Sequence, residues 1–137
     1  MKAFHGDPAI KAKYLARVRA HRLADNLIQG IAWENGKGCA VGCTLEKYDH
    51  KSYEDELGIP EWLARVEDRL FEGQTRADAM HWPERFLTSI KPGIDLDTVK
   101  APFLIFVLES ALETFDHEKY PDCAKCINVV IDLYRTR

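Results

Sequence analysis

The stretch Trp33-Glu34-Asn35-Gly36-Lys37-Gly38-Cys39-Ala40-Val41-Gly42-Cys43-Thr44 lies between two helical patterns and is the most unusual part of the chain. Its Asn-Gly and Gly-Lys-Gly steps predict a turn, because these residues tolerate the backbone conformations that turns require. A short helix from about Gly38 to Lys47 is expected to follow. Helix, turn and helix in succession, with no persistent strand pattern, indicate an all-α fold.

The residues before this turn predict a long first helix. Asp7 followed by Pro8 is typical of a helix start, with an aspartate cap and proline at the first helical position. Apolar residues then recur every three or four positions, and the helix should end by Gly30. Its expected buried stripe comprises Ala12, Leu15, Ala16, Ala20, Leu23 and Leu27.

Two further helices are expected after the turn. Pro60 opens a helix that Gly73 should close. Its predicted buried stripe is Ile59, Leu63, Val66 and Leu70. Thr75 and Asp78 have the spacing of a capping box for the next helix. Pro83 is expected to break or restart that helix, because proline lacks the backbone N–H that the helix needs.

The C-terminal part predicts two more helices. The segment 103–115 begins apolar nearly all round, so it is expected to be the central buried helix. The stripe of the last helix, which predicts buried thiols, is Cys123, Cys126, Ile127, Val130, Ile131 and Tyr134. A chain of 137 residues suits one domain, so a single compact domain of about six or seven helices over 1–137 is expected.

Composition excludes several classes of protein. The net charge of -3 argues against a dedicated nucleic-acid binder, because phosphate neutralisation supplies most of such binding. The longest apolar run, Phe103 to Leu108, is far shorter than the roughly twenty residues that a membrane span needs. The first residues contain no apolar stretch of signal-peptide length. A cytoplasmic protein without a membrane segment is therefore expected.

The glycine-rich turn is the best candidate for a ligand site. If a helix begins at Gly38, its free N–H groups and the positive end of its dipole face the turn, and Lys37 adds a full charge. The first hypothesis is therefore a non-enzymatic domain that binds a small anionic ligand or a protein partner. The expected ligand-binding residues are Trp33, Asn35, Gly36, Lys37, Gly38 and Tyr53.

The second hypothesis is an enzyme that uses Cys39 as a nucleophile. A cysteine at a helix start should have a lowered pKa, which favours the reactive thiolate. A nucleophile also needs a base and an orienting group. The candidates for these roles are His50, Glu34, His21 and His81.

The four cysteines leave a third hypothesis open. They fall in two pairs, Cys39/Cys43 and Cys123/Cys126. Because the sequence shows no signal peptide, a disulfide framework is not expected. Cys-x-x-Cys is a standard zinc half-site, so a structural module with a four-cysteine zinc site is an alternative if the fold unites the pairs. An interaction module that forms a homodimer is a further alternative. The preferred interpretation includes no metal and no cofactor.

Several segments resemble a small bacterial family of unassigned function. They are the stretch 34–44, the stretch 53–60 with its Tyr-Glu-x-Glu-Leu-Gly-Ile-Pro pattern, the segment Trp82-Pro83-Glu84-Arg85-Phe86, and the start His5-Gly6-Asp7-Pro8. The resemblance covers roughly the first two-thirds of the chain and does not extend to the helix with Cys123 and Cys126. It implies that the Gly-Lys-Gly-Cys segment is a recurring unit, and it carries no activity with it.

Overall fold

The computed structural model describes all residues 1–137 and confirms the all-α fold with seven α-helices and one small β-hairpin. The helices are α1 (Pro8–Leu23), α2 (Ala40–Leu45), α3 (Ser52–Leu57), α4 (Glu61–Gly73), α5 (Arg76–Ser89), α6 (Lys100–Thr114) and α7 (Pro121–Arg135). The hairpin strands are β1 (Trp33–Glu34) and β2 (Lys37–Gly38). No helix has both the length and the hydropathy needed to span a membrane.

The chain divides into two compact units where the sequence patterns suggested one domain over 1–137. The first unit, Met1–Leu96, contains α1 to α5 and the hairpin. The second unit, Asp97–Arg137, is built from α6 packed against α7. The main cluster of buried hydrophobic residues belongs to the first unit.

Helix α2 is the centre of the first unit. All six of its residues are buried, and α1, α4 and α5 contact it. It is shorter than the helix predicted from Gly38 to Lys47. Cys39 is extended at its start, and Glu46 ends it with a left-handed φ of 57°. The small side chains of α2 allow three helices to approach it closely.

Two glycines explain how the chain before the hairpin packs on α2. A Cβ atom at Gly42 would lie 2.0 Å from the carbonyl oxygen of Ala32, and one at Gly38 would lie 2.2 Å from the same oxygen. That oxygen accepts a hydrogen bond from the Cys39 N–H at 3.2 Å. The glycines therefore permit a close backbone approach that any side chain would block.

The predicted turn is the tip of the β-hairpin. Its two central residues, Asn35 and Gly36, have φ values of 53° and 77°, as a type I′ turn requires. Trp33 pairs with Gly38 across the antiparallel strands. The sequence did not indicate this minor hairpin within the all-α fold, because two-residue strands are too short to show an alternating pattern.

Helix α1 has the predicted start but not the predicted buried face. The Ala9 N–H donates to the Asp7 carboxylate at 2.8 Å, which confirms the cap. The buried residues are Tyr14 and Val18, whereas Leu23 of the expected stripe is 71% exposed. The prediction failed because small alanines supplied half of that stripe, and the larger side chains on another face bury more apolar surface.

Helix α4 has the expected boundaries and a different buried face. The residues that it buries are Ala64, Glu67 and Phe71, whereas Leu70 of the predicted stripe is exposed. A stripe chosen by hydrophobicity could not include Glu67, because acids are rarely buried. This orientation brings a carboxyl group into the core of the first unit.

Helix α5 confirms one local signal and corrects another. The Asp78 N–H donates to the Thr75 hydroxyl at 3.2 Å, so the predicted cap forms. Pro83 was expected to break the helix, and this was wrong: the helix continues from Arg76 to Ser89 with Pro83 buried inside it. Burial of the proline ring in the core offsets the hydrogen bond that proline removes.

The second unit differs from the sequence-based expectation. The segment expected to be the central buried helix is α6, and none of its residues is fully buried; Phe106 is 65% exposed. Cys123 and Cys126 of α7 are exposed rather than buried. Both expectations were wrong because each helix of this unit has only one helical neighbour within it, and one neighbour covers only one face.

We expect Gly42→Ala to destabilise the protein by about 2 kcal/mol or more, because the added Cβ would collide with the Ala32 carbonyl. Helix propensity alone would favour alanine by about 1 kcal/mol. Gly73→Ala, in the last turn of α4 with nothing within 4 Å of its Cβ, is the matched control and should be neutral or slightly stabilising. Urea unfolding measures both. Equal effects of the two substitutions would contradict this account of the glycine packing.

Candidate functional site

Three side chains of different chemistry meet at the carboxyl group of Asp68 on α4. The Tyr48 hydroxyl donates to Asp68 Oδ2 at 3.0 Å, and His50 Nε2 contacts the same oxygen at 3.0 Å. The thiol of Cys39 donates to the Ala32 carbonyl at 3.5 Å and lies near enough to Asp68 for this carboxyl group to raise the pKa of the thiol. A phenol and an imidazole thus share one carboxyl oxygen, with a thiol nearby. These four residues are called the Asp68 cluster below.

Three different parts of the first unit supply the Asp68 cluster. Cys39 caps the start of α2, Tyr48 and His50 lie in the loop between α2 and α3, and Asp68 lies within α4. The rings of Tyr48 and His50 pack edge to face with centroids 4.8 Å apart. The His50 carbonyl accepts a hydrogen bond from the N–H of Tyr53, which fixes the loop to α3.

A second acid lies beside the cluster in the core. Glu67 is fully buried, and its Oε2 accepts a hydrogen bond from the Tyr53 hydroxyl at 2.6 Å. The hydroxyl of Thr44 on α2 also interacts with Tyr53. The other carboxyl oxygen, Glu67 Oε1, has no hydrogen-bond partner. The core of the first unit therefore contains an acid that is only partly satisfied.

Burial sets the protonation of Glu67. Loss of solvent raises the pKa of Glu67 to about 8, the charge of Asp68 acts in the same direction, and the hydrogen bond from Tyr53 opposes both. Glu67 is therefore mostly a neutral acid at pH 7. In the same region, burial and the hydrogen bond to Asp68 raise the pKa of Tyr48 to about 12. Tyr48 thus remains a hydrogen-bond donor.

The thiol of Cys39 is held in its protonated form. Burial raises the pKa of Cys39 far above its ordinary value, and the hydrogen bond to Asp68 raises it further, while the N–H of Gly42 opposes the shift. The lowered pKa expected at the start of a helix was therefore wrong, because burial outweighs the backbone N–H groups of Gly42 and Val41. Burial likewise raises the pKa of Cys43 to about 12.

The backbone donors of the predicted anion site are already used. The N–H of Gly38 donates to Asn26 at 2.9 Å, the N–H of Cys39 donates to Ala32, and that of Gly42 donates to Cys39 Sγ. The prediction of free N–H groups at this turn was therefore wrong. Close packing of the turn on the chain before it requires these bonds.

The structure separates the predicted site residues into two groups. Cys39 and His50 meet through Asp68, and Tyr53 joins the neighbouring acid Glu67. The other group belongs to the hairpin and comprises Trp33, Glu34, Asn35, Gly36, Lys37 and Gly38. Glu34 is exposed on β1 opposite Lys37, so it is not joined to the Asp68 cluster.

The Asp68 cluster opens on a cavity of about 340 Å³. Its lining residues are Tyr48, His50, Arg65, Asp68, Arg69 and Glu72. Arg65 pairs with Glu61 at 2.7 Å, and the Glu72 carboxylate accepts the N–H of Gly30 at 2.8 Å. Arg69, one helical turn after Arg65, forms no ion pair and is the cation available to a ligand.

Lys37 lines a different cavity of about 360 Å³, called the Lys37 cavity below. Its other lining residues are Asp25, Leu27, Ile28, Gln29, Arg76 and Met80. Lys37 and Arg76 form no ion pair, so this cavity also offers positive charge. It contains none of the residues of the Asp68 cluster.

The two cysteine pairs lie in different units. Cys39 and Cys43 belong to the first unit, and Cys123 and Cys126 belong to the second. In neither unit do further His, Asp or Glu side chains join a pair to form a group suited to a metal ion. The structure therefore adds no support to the four-cysteine zinc site.

Sequence reasoning missed the acids that organise the site. Asp68 and Glu67 lie on a helix whose predicted buried stripe excluded both. The available signal was the spacing of Ala64, Glu67 and Phe71, which share one helical face. An acid on an otherwise apolar face is a sign of a functional or strained position.

Comparisons with known proteins give no relative from which a function could be carried over. No protein family, curated protein or solved structure matches this chain. The interpretation of the site therefore depends on its own geometry and chemistry.

We expect the stability of the protein to fall as the pH rises from about 5 to about 8. The pKa of Glu67 is about 8 in the folded protein and 4.5 ordinarily, so the fold prefers the protonated form. Protonated Glu67 makes its full contribution to the free energy of unfolding below its ordinary pKa. That contribution is lost as the pH rises through the pKa of Glu67 in the folded protein. One such group gives a slope of about 1.4 kcal/mol per pH unit between the two values.

The Glu67→Gln variant should remove this dependence, because glutamine is neutral at every pH in the range and similar in shape. The measurement is the free energy of unfolding in urea at pH 5, 6, 7 and 8. Glu34→Gln, at the exposed acid of the hairpin, is the control and should keep the slope of the unmodified protein. If Glu67→Gln keeps that slope as well, Glu67 is not the group responsible.

Proposed function

We propose that the protein is an enzyme that binds a small anionic substrate in the cavity beside Asp68 and uses His50 as a general acid or base. One observation carries the proposal: the imidazole of His50 is held by the Asp68 carboxyl group in a cavity that also contains an unpaired arginine, Arg69. This combination of an oriented imidazole and a binding cation is typical of proton-transfer chemistry on an anion.

The anion would bind between the two arginines of α4. Arg65 and Arg69 lie one turn apart, so both line the same side of the cavity. Arg69 offers its guanidinium without competition from an ion pair, and a guanidinium can donate two parallel hydrogen bonds to a carboxylate or phosphate. The Tyr48 hydroxyl, kept protonated, adds a neutral group at the cavity wall.

Asp68 supports the proton transfer by orienting the imidazole ring. His50 uses Nε2 for its contact with Asp68, which leaves Nδ1 without an intramolecular hydrogen bond. A ring fixed in this way presents one defined nitrogen to a ligand, as in other Asp–His pairs. Asp68 is therefore a positioning residue, and His50 is the proposed catalytic residue.

Cys39 has a supporting role in this proposal. Its thiol is buried, its pKa is raised, and it interacts with Asp68 rather than with His50. A nucleophilic cysteine needs a lowered pKa and access to substrate, and Cys39 has neither. The thiol instead adds a neutral neighbour to the Asp68 carboxyl group. The proposal therefore assigns proton transfer to His50 in preference to nucleophilic attack by Cys39.

Phosphate is a simple probe for the anion site. At a concentration of one hundred times its Kd, it should stabilise the protein by about 2.7 kcal/mol. We expect Arg69→Ala to weaken binding about tenfold, which would remove about 1.4 kcal/mol of that stabilisation. The measurement is the urea unfolding free energy with and without phosphate, at constant ionic strength.

Lys37→Ala is the matched control, because Lys37 lines the other cavity and should leave phosphate stabilisation unchanged. The opposite result, in which Lys37→Ala removes the stabilisation and Arg69→Ala does not, would overturn the proposal. It would instead assign the anion to the Lys37 cavity, where the hairpin supplies the charge.

Contact between the anion and His50 can be tested by NMR of the imidazole rings. Saturating phosphate at fixed pH should shift the His50 ring resonances toward their protonated positions, because a nearby anion favours the positive ring. The same addition should leave the ring of His5, which contacts the Asp55 carbonyl, unchanged. Stabilisation by phosphate without any shift at His50 would exclude the acid–base role.

A further inference from the structure

The two cysteines of α7 have no role in the packing of the second unit. Cys123 and Cys126 are both exposed, whereas Ala124 and Ile131 are the buried residues of this helix. The thiols lie in the first two turns of the helix, which begins at Pro121. Their exposure removes the usual structural reason for a cysteine in a helix, which is to fill space in a core.

Helical geometry brings these two thiols close to each other. Residues three apart in an α-helix have Cα atoms about 5 Å apart, which is within the range of about 4.4–6.8 Å for disulfides. Their Cβ atoms are about 5–6 Å apart in a regular helix, compared with about 3.8 Å across a disulfide. A bond between them therefore requires a local distortion of the helix start.

The start of α7 offers such a distortion at a small cost. Helix ends fray, and the first backbone N–H groups of a helix have no partner within it. The first bond across this turn, from the Ala124 N–H to the Tyr120 carbonyl, is 3.3 Å long. A disulfide closed under strain is more easily reduced than a relaxed one. The pair is thus suited to reversible oxidation rather than to a permanent crosslink.

We propose that Cys123 and Cys126 form a reversible dithiol–disulfide site that exchanges with a low-molecular-weight disulfide such as oxidised glutathione. One thiolate attacks a glutathione sulfur, forms a mixed disulfide and releases the first glutathione thiolate. The second cysteine, as its thiolate, then attacks the protein sulfur of that mixed disulfide and releases the second glutathione thiolate. Each cysteine loses its proton to solvent, and each released thiolate takes one up. The protein loses two electrons, and glutathione disulfide gains them.

The other cysteine pair provides an internal comparison. Cys39 and Cys43 are buried, and their Sγ atoms contact the carbonyl oxygens of Ala32 and Gly38 at 3.5 and 3.4 Å. Burial raises the pKa of both thiols, so thiolate is scarce there. The same chain therefore contains one pair open to exchange and one pair closed to it.

The test is incubation of the full-length native protein with oxidised glutathione, followed by rapid alkylation and mass mapping of all four cysteines. We expect the loss of two hydrogens, a bond between Cys123 and Cys126, and free thiols at Cys39 and Cys43. Excess reduced glutathione should restore the dithiol. The Cys126→Ser variant should stop at a single mixed disulfide on Cys123, because no second thiol can displace glutathione.

Two results would overturn the proposal. One is wild-type protein that accumulates mixed disulfides at Cys123 or Cys126 without the internal bond, which would show that the helix does not let the sulfurs meet. The other is no reaction at either exposed cysteine. Circular dichroism of Cys126→Ser, which should match the unmodified protein, separates a redox effect from misfolding.

Discussion

The carbonyl oxygen of Ala32 occupies space that side chains at Gly38 and Gly42 would fill, and the first unit depends on this contact. It allows the chain before the hairpin to reach the backbone of α2. The same oxygen accepts the N–H of Cys39 at 3.2 Å and lies 3.5 Å from its sulfur. The contact therefore fixes both the entry to the buried helix and the position of the thiol that faces Asp68.

Helix α4 packs against α2 with Glu67 in the core. Neighbouring residues in an α-helix are rotated by about 100°, so Glu67 in the core places Asp68 toward the edge. At that edge Asp68 meets Tyr48 and His50 and borders the cavity. An unsatisfied buried polar atom such as Glu67 Oε1 costs about 1–3 kcal/mol. This cost arises at Glu67, the residue next to the acid that organises the site, Asp68.

Local signals predicted much of the secondary structure, whereas the helix faces buried by tertiary packing were harder to predict. The caps at Asp7 and Thr75 and the ends of α4 were found from the sequence, because each depends on residues within a few positions. The buried faces were not, because α1 and α4 present more than one plausible stripe. Which stripe is buried depends on the helices that surround α2, and periodicity does not contain that information.

The site shows the same division. The sequence identified Cys39 and His50 as chemically interesting and predicted that they could act together. The structure joins them through Asp68, which is 18 residues from His50 and on another helix. No local pattern reports such a contact. Gly38 and Gly42 of the glycine-rich segment permit a close backbone approach to Ala32, and this contact was likewise not predictable from a local pattern.

The position of Asp68 beside both Cys39 and His50 also changes the chemistry that these two residues can perform. A thiol in contact with imidazole can lose its proton to it, whereas burial and a nearby carboxyl group keep the thiol of Cys39 protonated. In the proposed function the acid orients the imidazole, and the reactive atom is a ring nitrogen rather than a sulfur. Under that proposal the two residues support proton transfer instead of covalent catalysis, and the carboxyl group of Asp68 makes the difference.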